Sequence, residues 1–345
     1  MQPQQRRIGA TPPCYTGTHD AISGVGTRVA ASRHGREEGP NRAVIERLEF
    51  ILALARERHF GRAAQVCNVS QQTLSAGVKQ LEERLGVMLV QRGSRFQGFT
   101  PEGERVLEWA RRIVGDARAM REEVASLRRG LSGTLRLAAI PTATPVVAAL
   151  TTPFRMRHPE VRFSVHSTTS GEIGRLIADL EIDAGITYLE NEPLGRLTTV
   201  PLYRERYRLL TAVDGVFGAR DSVTWEEVTR IPLCLLTPDM QNRRIIDRHL
   251  TNVGRVSAPL LESNSMIVLL THVRTAKWAS IMPAVLADSF RLNERIRAVP
   301  IVEPDVSHLI GLVVPEREPM TPLCAALMVE ARATAAGIAQ DIASL

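Results

Sequence analysis

The sequence predicts a multidomain chain: an all-α winged helix-turn-helix head, a long linker helix, and then an α/β body. Three observations lead there. Two short helical segments are separated by a tight turn, and the second carries an apolar stripe with a polar opposite face. A seven-residue apolar repeat follows. Beyond Thr134, strand-like and helix-like runs alternate. The length of 345 residues favours two or three domains over one. With 44% hydrophobic and 23% charged residues the composition is globular, which excludes wholesale disorder.

The head is read over residues 41–100. Ile45, Leu48, Ile51, Leu52 and Ala55 share one helical face, and Phe60 leads into a second helix from Gly61 to Cys67. Asn68 and Val69 make the turn, and Ser70 is placed to cap the next helix. There Leu74, Val78, Leu81 and Leu85 recur at spacings of 4, 3 and 4, until Gly86 stops the helix. The opposite face carries Gln71, Gln72, Thr73, Ser75 and Lys79. Gln pairs with adenine edges, Ser and Thr bond bases or phosphates, and Lys neutralises a phosphate. A solvated polar face on an unrelated three-helix bundle is the plainer alternative. Arg92 and Arg95, beside Gly93 and Ser94, suit a basic wing gripping a nucleic-acid backbone.

A linker helix is expected over residues 101–130. Thr100 caps it, Pro101 occupies its first turn, and Glu102 and Glu104 complement the positive end of its dipole. Val106, Ala110, Ile113, Ala117, Met120, Val124 and Leu127 form a heptad seam of about three repeats, roughly 32 Å long. Pairing with a second copy is the expectation, and packing on the chain's own core is the alternative. Gly130, Ser132 and Gly133 interrupt the pattern. The body, residues 134–340, opens as βαβαβ: strands at Thr134–Ala139, Val161–Ser167 and Ala184–Tyr188, with helices near Thr144–Arg157 and Gly171–Asp179. Residues 1–40 have no apolar periodicity and read as a disordered tail, explained equally well by a start placed too far upstream or by a functional arm.

Charge supports this division. Residues 41–133 carry 16 basic and 11 acidic groups, whereas the remaining body is nearly balanced, with 22 and 23. A local basic excess is the footprint of a surface that meets phosphate backbones. Cys14, Cys67, Cys234 and Cys324 are far apart and form neither a zinc pattern nor a disulfide framework, so no metal is expected. No cofactor or catalytic motif is present at recognisable spacing, and an enzyme is not expected. The most apolar stretch, Leu137–Thr151, contains two prolines and is too short to span a bilayer, and no secretory h-region follows Arg6 and Arg7. A cytoplasmic protein without membrane contact is the expectation.

The series Phe60-Gly61-Arg62-Ala63-Ala64, Val69-Ser70-Gln71, Leu74-Ser75, Leu81-Glu82-Glu83-Arg84-Leu85-Gly86 and Thr100-Pro101-Glu102-Gly103 resembles the LysR-type transcriptional regulators, and the likeness runs from Ile45 to about Ala335. The resemblance implies a two-lobed α/β effector-binding domain built like a periplasmic solute-binding protein. Lobe I is then placed near residues 134–203 and 305–340 and lobe II near 207–302, with crossovers at Tyr203–Arg206 and Val302–Pro304. It also implies double-stranded DNA as partner, a small-molecule effector with an anion as one candidate class, dimerisation through the linker helix, and a tetramer. Thr142, Ser170, Thr187, Thr237 and Asn264 are the effector candidates, Thr142 and Ser170 each standing before a helix start. The chain departs from the family pattern at Gln72, Ala76 and Gly77 in the recognition helix, at Val90-Gln91 before the wing, and at Ala276-Lys277-Trp278 in lobe II. A stand-alone solute-binding protein and a redox-responsive member of the same family remain as alternatives.

Overall fold

The computed structural model describes residues 40–343 apart from Arg92, Ser94, Arg95, Asn191, 255–257 and 290–294. The head is built from α1 (Pro40–Glu57), α2 (Phe60–Val66) and α3 (Gln71–Leu85). These enclose Ile51, Leu54, Ala63, Leu74, Val78 and Leu81. Each boundary has a local cause. The His59 ring accepts the backbone N–H groups of Gly61 and Arg62 at 3.1 and 3.3 Å, fixing the start of α2. Asn68 turns the chain with φ 54°, a left-handed conformation that Asn tolerates. Ser70 Oγ accepts from Thr73 N at 3.0 Å, and Gly86 ends α3 with φ 69°.

Gly77, which by sequence only weakens α3, is a packing requirement. A Cβ there would lie 2.6 Å from the Phe50 ring, which is itself buried in the head. Ala gains about 1 kcal/mol of helix propensity, but overpacking a closed core costs about 1–3 kcal/mol. Gly77→Ala is therefore expected to lower stability, with a lower urea midpoint and weaker DNA binding as α3 tilts away from α1. An unchanged midpoint would show that Phe50 repacks freely.

A short antiparallel bridge, Val90 to Phe99, follows the head helices. α4 (Pro101–Arg129) then starts where Thr100 Oγ1 accepts from Gly103 N at 2.9 Å. Its buried side is Gly103, Leu107, Ala110, Val114, Gly115 and Ala119. The seam read from the sequence is thus split. Ala110 enters the chain's own core, whereas Ile113, Met120, Val124 and Leu127 stay exposed, Leu127 at 82%.

The body contains β1 (Gly133–Ala139), α5 (Thr144–Arg157), β2 (Val161–Ser167), α6 (Ser170–Ala178), β3 (Ala184–Tyr188) and β4 (Leu197–Glu205). It continues with β5 (Tyr207–Ala212), β6 (Val223–Thr224), α7 (Trp225–Val228), β7 (Cys234–Leu236), α8 (Gln241–Asn252), β8 (Leu261–Ser263) and α9 (Met266–Val273). Last come β9 (Ser280–Pro283), α10 (Ala284–Ser289), β10 (Ile296–Val302), β11 (His308–Pro315) and α11 (Pro322–Ala343). Lobe I holds a five-stranded sheet in the order β2-β1-β3-β11-β4. Lobe II holds a four-stranded sheet, β6-β10-β5-β9, and the pair β7-β8. In lobe I, β1 runs parallel to β2 and β3, and β11 returns antiparallel between β3 and β4. The chain passes between lobes at Arg206 and again between Val302 and His308.

The sequence reading missed β6, β8, β9, α10 and β10, whereas the helix it places near Leu323–Ala335 is present as α11. The stretch Pro322–Gln340 is long and apolar enough to cross a membrane by length and composition. In the fold, its Leu323, Leu327, Met328, Ala331 and Ile338 are buried in the core cluster of the body. α4 meets lobe I through an Arg111–Asp179 ion pair at 3.0 Å, and through Arg118, which donates to the Leu180 carbonyl at 3.1 Å.

Candidate functional site

Two surfaces carry the sequence-derived candidates. On α3, Leu74, Val78 and Leu81 face the core, and that burial turns the rest of the helix outward. Gln71, Gln72, Thr73 and Lys79 are exposed, and Ser75 is half-buried. Gln72, Ser75, Ala76 and Lys79 follow at i, i+3, i+4 and i+7 and so form one strip. Thr73 lies off that strip, its hydroxyl engaged with Ser70 Oγ at 2.8 Å. Lys79 sits 3.6 Å from Glu83. Such an exposed pair is screened and weak, so phosphate competes with it readily. Arg92 and Arg95 lie outside the described residues. On either side of them, Gln91 N donates to Gly98 O at 3.0 Å, Phe96 and Phe99 pack edge to face, and Val90 is buried in the head.

The second surface is the cleft between the lobes. Thr142 and Ser170 line it, as do Ile140, Pro141, Thr169 and Tyr188 from lobe I and Leu236, Met240, Gln241 and Asn242 from lobe II. The lobes lie close together, leaving about 10 Å³, roughly the space of one water molecule. Thr142 and Ser170 are 1% and 8% exposed, and neither hydroxyl has a partner. An orphaned buried hydroxyl costs about 1–3 kcal/mol, a penalty that a polar ligand removes. Thr187 and Thr237 also have buried, unpartnered hydroxyls, but they stand beside the cavity, one residue from Tyr188 and Leu236. Asn264 is exposed in the turn between β8 and α9 and is not among the residues that border this cavity, although its neighbour Ser263 pairs with Leu236 of β7.

Sequence reasoning missed Tyr188, Gln241 and Asn242. Gln241 Nε2 donates to Glu190 O at 3.1 Å, Asn242 Nδ2 donates to Tyr188 Oη at 3.2 Å, and Arg244 pairs with Glu192 at 2.6 Å. These three contacts seat α8 on lobe I. The start of α8 after a strand is the available signal, although the sequence pattern places that helix near Arg243–Thr251, two residues late. Beneath the cleft, Tyr188 donates to Glu205, a wholly buried carboxyl that burial pushes up to about 8. Among the described residues, no lysine or arginine lines the cleft.

The family model described as the bacterial regulatory helix-turn-helix protein, lysR family, matches residues 45–104, and the LysR substrate binding domain model matches residues 128–336. The chain belongs to the LysR family: it is a DNA-binding transcriptional regulator with an effector-binding domain. Among curated relatives, the hydrogen peroxide-inducible genes activator of Dickeya chrysanthemi is 27% identical over 270 residues, covering 78% of this chain and 88% of that protein. The probable nitrogen assimilation transcriptional activator of Synechococcus elongatus is 26% identical over 278 residues, covering 79% and 89%. Among solved structures, a full-length OxyR variant from Pseudomonas aeruginosa superposes with a TM-score of 0.68 at 26% identity, covering 84% of this chain and 97% of that one. CbnR in complex with its target DNA shares the fold, with a TM-score of 0.57 at 20% identity, covering 84% and 99%.

Proposed function

We propose that this regulator reads its operator with Gln71, Gln72 and Ser75, grips phosphates with Lys79, Arg92 and Arg95, and changes its DNA contacts when a small polar effector enters the Thr142–Ser170 cleft. The observation that carries the first part is the strip of exposed Gln72 and Lys79 with half-buried Ser75 between them, opposite the buried face of α3. Thr73 serves mainly the helix cap in this reading. The exposed Ile113, Met120, Val124 and Leu127 on α4 give a second copy an apolar seam, so two heads approach two half-sites and dimers pair into tetramers. The protein works in the cytoplasm, without catalysis and without a resident cofactor.

The effector is small and anionic or strongly hydrogen-bonding. The starts of α6 and α8 and the turn at Pro141 border the cavity together with the two orphaned hydroxyls, and helix starts favour negative charge. The redox-responsive alternative is in keeping with the hydrogen peroxide-inducible genes activators among the relatives, but two of the cysteines argue against a reactive thiol as its sensor. Burial pushes the Cys234 and Cys324 thiols up to about 11, so they remain protonated at neutral pH and are poor nucleophiles. Among the described residues the cysteines are free.

The test is affinity for duplex DNA from the region upstream of the gene, as a function of salt. Lys79→Ala should weaken all sequences alike and lower the salt slope by about one, whereas Gln72→Ala should relax preference at particular base pairs. Base selectivity unchanged in the Gln72 variant would remove that residue from the reading surface. A thermal-shift screen of small organic and inorganic anions, with Thr142→Val as the non-responding control, tests the cleft.

A further inference from the structure

The two lobes are joined behind the cleft by a pair of imidazoles. His249, on the last turn of α8 in lobe II, and His308, the first residue of β11 where the chain re-enters lobe I, bring their Nε2 atoms to 3.3 Å. Aromatic rings enclose the pair. Trp225 lies 4.9 Å from His249, and Tyr207 and Tyr188 lie 6.0 and 6.4 Å from His308. Trp225 Nε1 in turn donates to the Pro304 carbonyl at 3.2 Å, within the second crossover. α8 thus touches lobe I at both ends, through Gln241, Asn242 and Arg244 near its start and through His249 near its finish.

We propose that His249 and His308 form a proton-operated latch between the lobes, closed while their Nε2 atoms share one hydrogen and opened by the proton that removes the last acceptor. Two neutral imidazoles meet in this way only as opposite tautomers, one donating from Nε2 and the other accepting there. A first proton fits on the unprotonated Nδ1 of the donor ring without disturbing the shared hydrogen, and the face of Trp225 next to His249 accommodates one cation. A second proton has to occupy the accepting Nε2. It replaces a hydrogen bond with two facing cations, and the end of α8 separates from β11. Because the two groups interact, they titrate as a pair rather than singly.

The surrounding charges set the direction. Arg248 on α8 faces both rings, Arg204 on β4 and Glu190 at the end of β3 face His308, and no acid on α8 itself faces His249. Burial, followed by His308 and Arg248, lowers the His249 pKa. Burial and the two arginines lower that of His308 against the opposing effect of Glu190. The closed lobes therefore hold fewer protons than the open ones. Closure is fully favoured above the ordinary histidine value of about 6.5 and is lost as pH falls below it, independently of whether the cleft binds an effector.

Hydrogen–deuterium exchange of the full chain tests this at two levels. Exchange at the imidazole C2–H gives each histidine its own titration curve. His249 and His308 are expected to share two coupled steps, the lower one well below the ordinary histidine value of about 6.5, and ordinary independent titration of both would overturn the latch. Amide protection of 241–252, corrected for intrinsic exchange, is expected to fall tenfold or more from pH 7.5 to 5.5 in the wild type and to stay level in His249→Gln/His308→Gln. That variant keeps Glu190, Arg204, Arg248 and Glu205, so an equal fall in both proteins would assign the effect to those groups and refute the latch. The C2–H titration needs only the wild type and decides the matter even where the double variant fails to fold.

Discussion

Gly103→Ala is expected to abolish DNA binding and to destabilise the head by about 3 kcal/mol or more, the range of backbone-level overpacking. A Cβ on Gly103, in the first turn of α4, would fall on the carbonyl oxygen of Leu89. Leu89 has no room to move. Its side chain is fully buried in the head, its N–H donates to Glu82 Oε1 at 2.7 Å, and its carbonyl accepts from Thr100 N at 2.9 Å. Thr100 in turn donates to Met88 O at 2.6 Å while accepting from Gly103 N. Displacing the strand breaks these bonds together and frees the wing's base from α4. Gly115 provides the contrast. Its Cβ would meet only the guanidinium of Arg317, the far end of a flexible side chain, so Gly115→Ala should cost much less. Gly174, with open space around it in α6, should gain up to about 1 kcal/mol as Ala. Band shifts and amide exchange of 71–85 check all three, and retained DNA binding in Gly103→Ala would refute the packing argument.

Legibility in the sequence followed the length scale of the cause. Caps and stripes act within a turn or two, so Ser70, Gly86, Thr100 and the stripe members Leu74, Val78 and Leu81 were readable and stand in the structure as read, whereas Leu85, the stripe's last member, is exposed. Gly77 was not, because its reason is a ring 27 residues away, and a one-dimensional reading registers only the propensity penalty. The heptad seam combined two faces of α4, since Ala110 fits both a dimer stripe and the chain's own core. In the cleft, Thr142 and Ser170 were visible as polar residues at helix starts after strands. Tyr188, Gln241 and Asn242 were hidden because each belongs to the cleft only through a partner on the other lobe. Lobe II was read least well. Its β6 and β8 are two and three residues long, below the length at which alternation is recognisable.

Glu205 supplies the other large effect, and its sign is opposite to that of the histidine pair. The carboxyl is fully buried at the end of β4. Oε1 accepts from Tyr188, Oε2 is unpartnered, and burial raises its pKa to about 8 against an unfolded value near 4.3. Between those two values the folded chain holds a proton that the unfolded chain has released, so stability is intact below about 4.3 and falls as pH rises through 8. The tyrosines around it, Tyr188, Tyr203 and Tyr207, are themselves pushed upward by burial and do not titrate in that window. Glu205→Gln replaces the protonated acid with a group of the same shape that never ionises. At pH 5 the two proteins should have nearly equal urea midpoints. At pH 9 the variant should be the more stable by several kcal/mol, since each unit of pKa difference is worth about 1.4 kcal/mol. A variant equally weakened at both pH values would mean that the carboxylate form holds the hinge together. Because the histidine contribution is complete above about 6.5 while the Glu205 contribution is lost progressively from about 4.3 to 8, the crossover region is most stable near the ordinary histidine pKa and loses stability as pH rises from there toward 8.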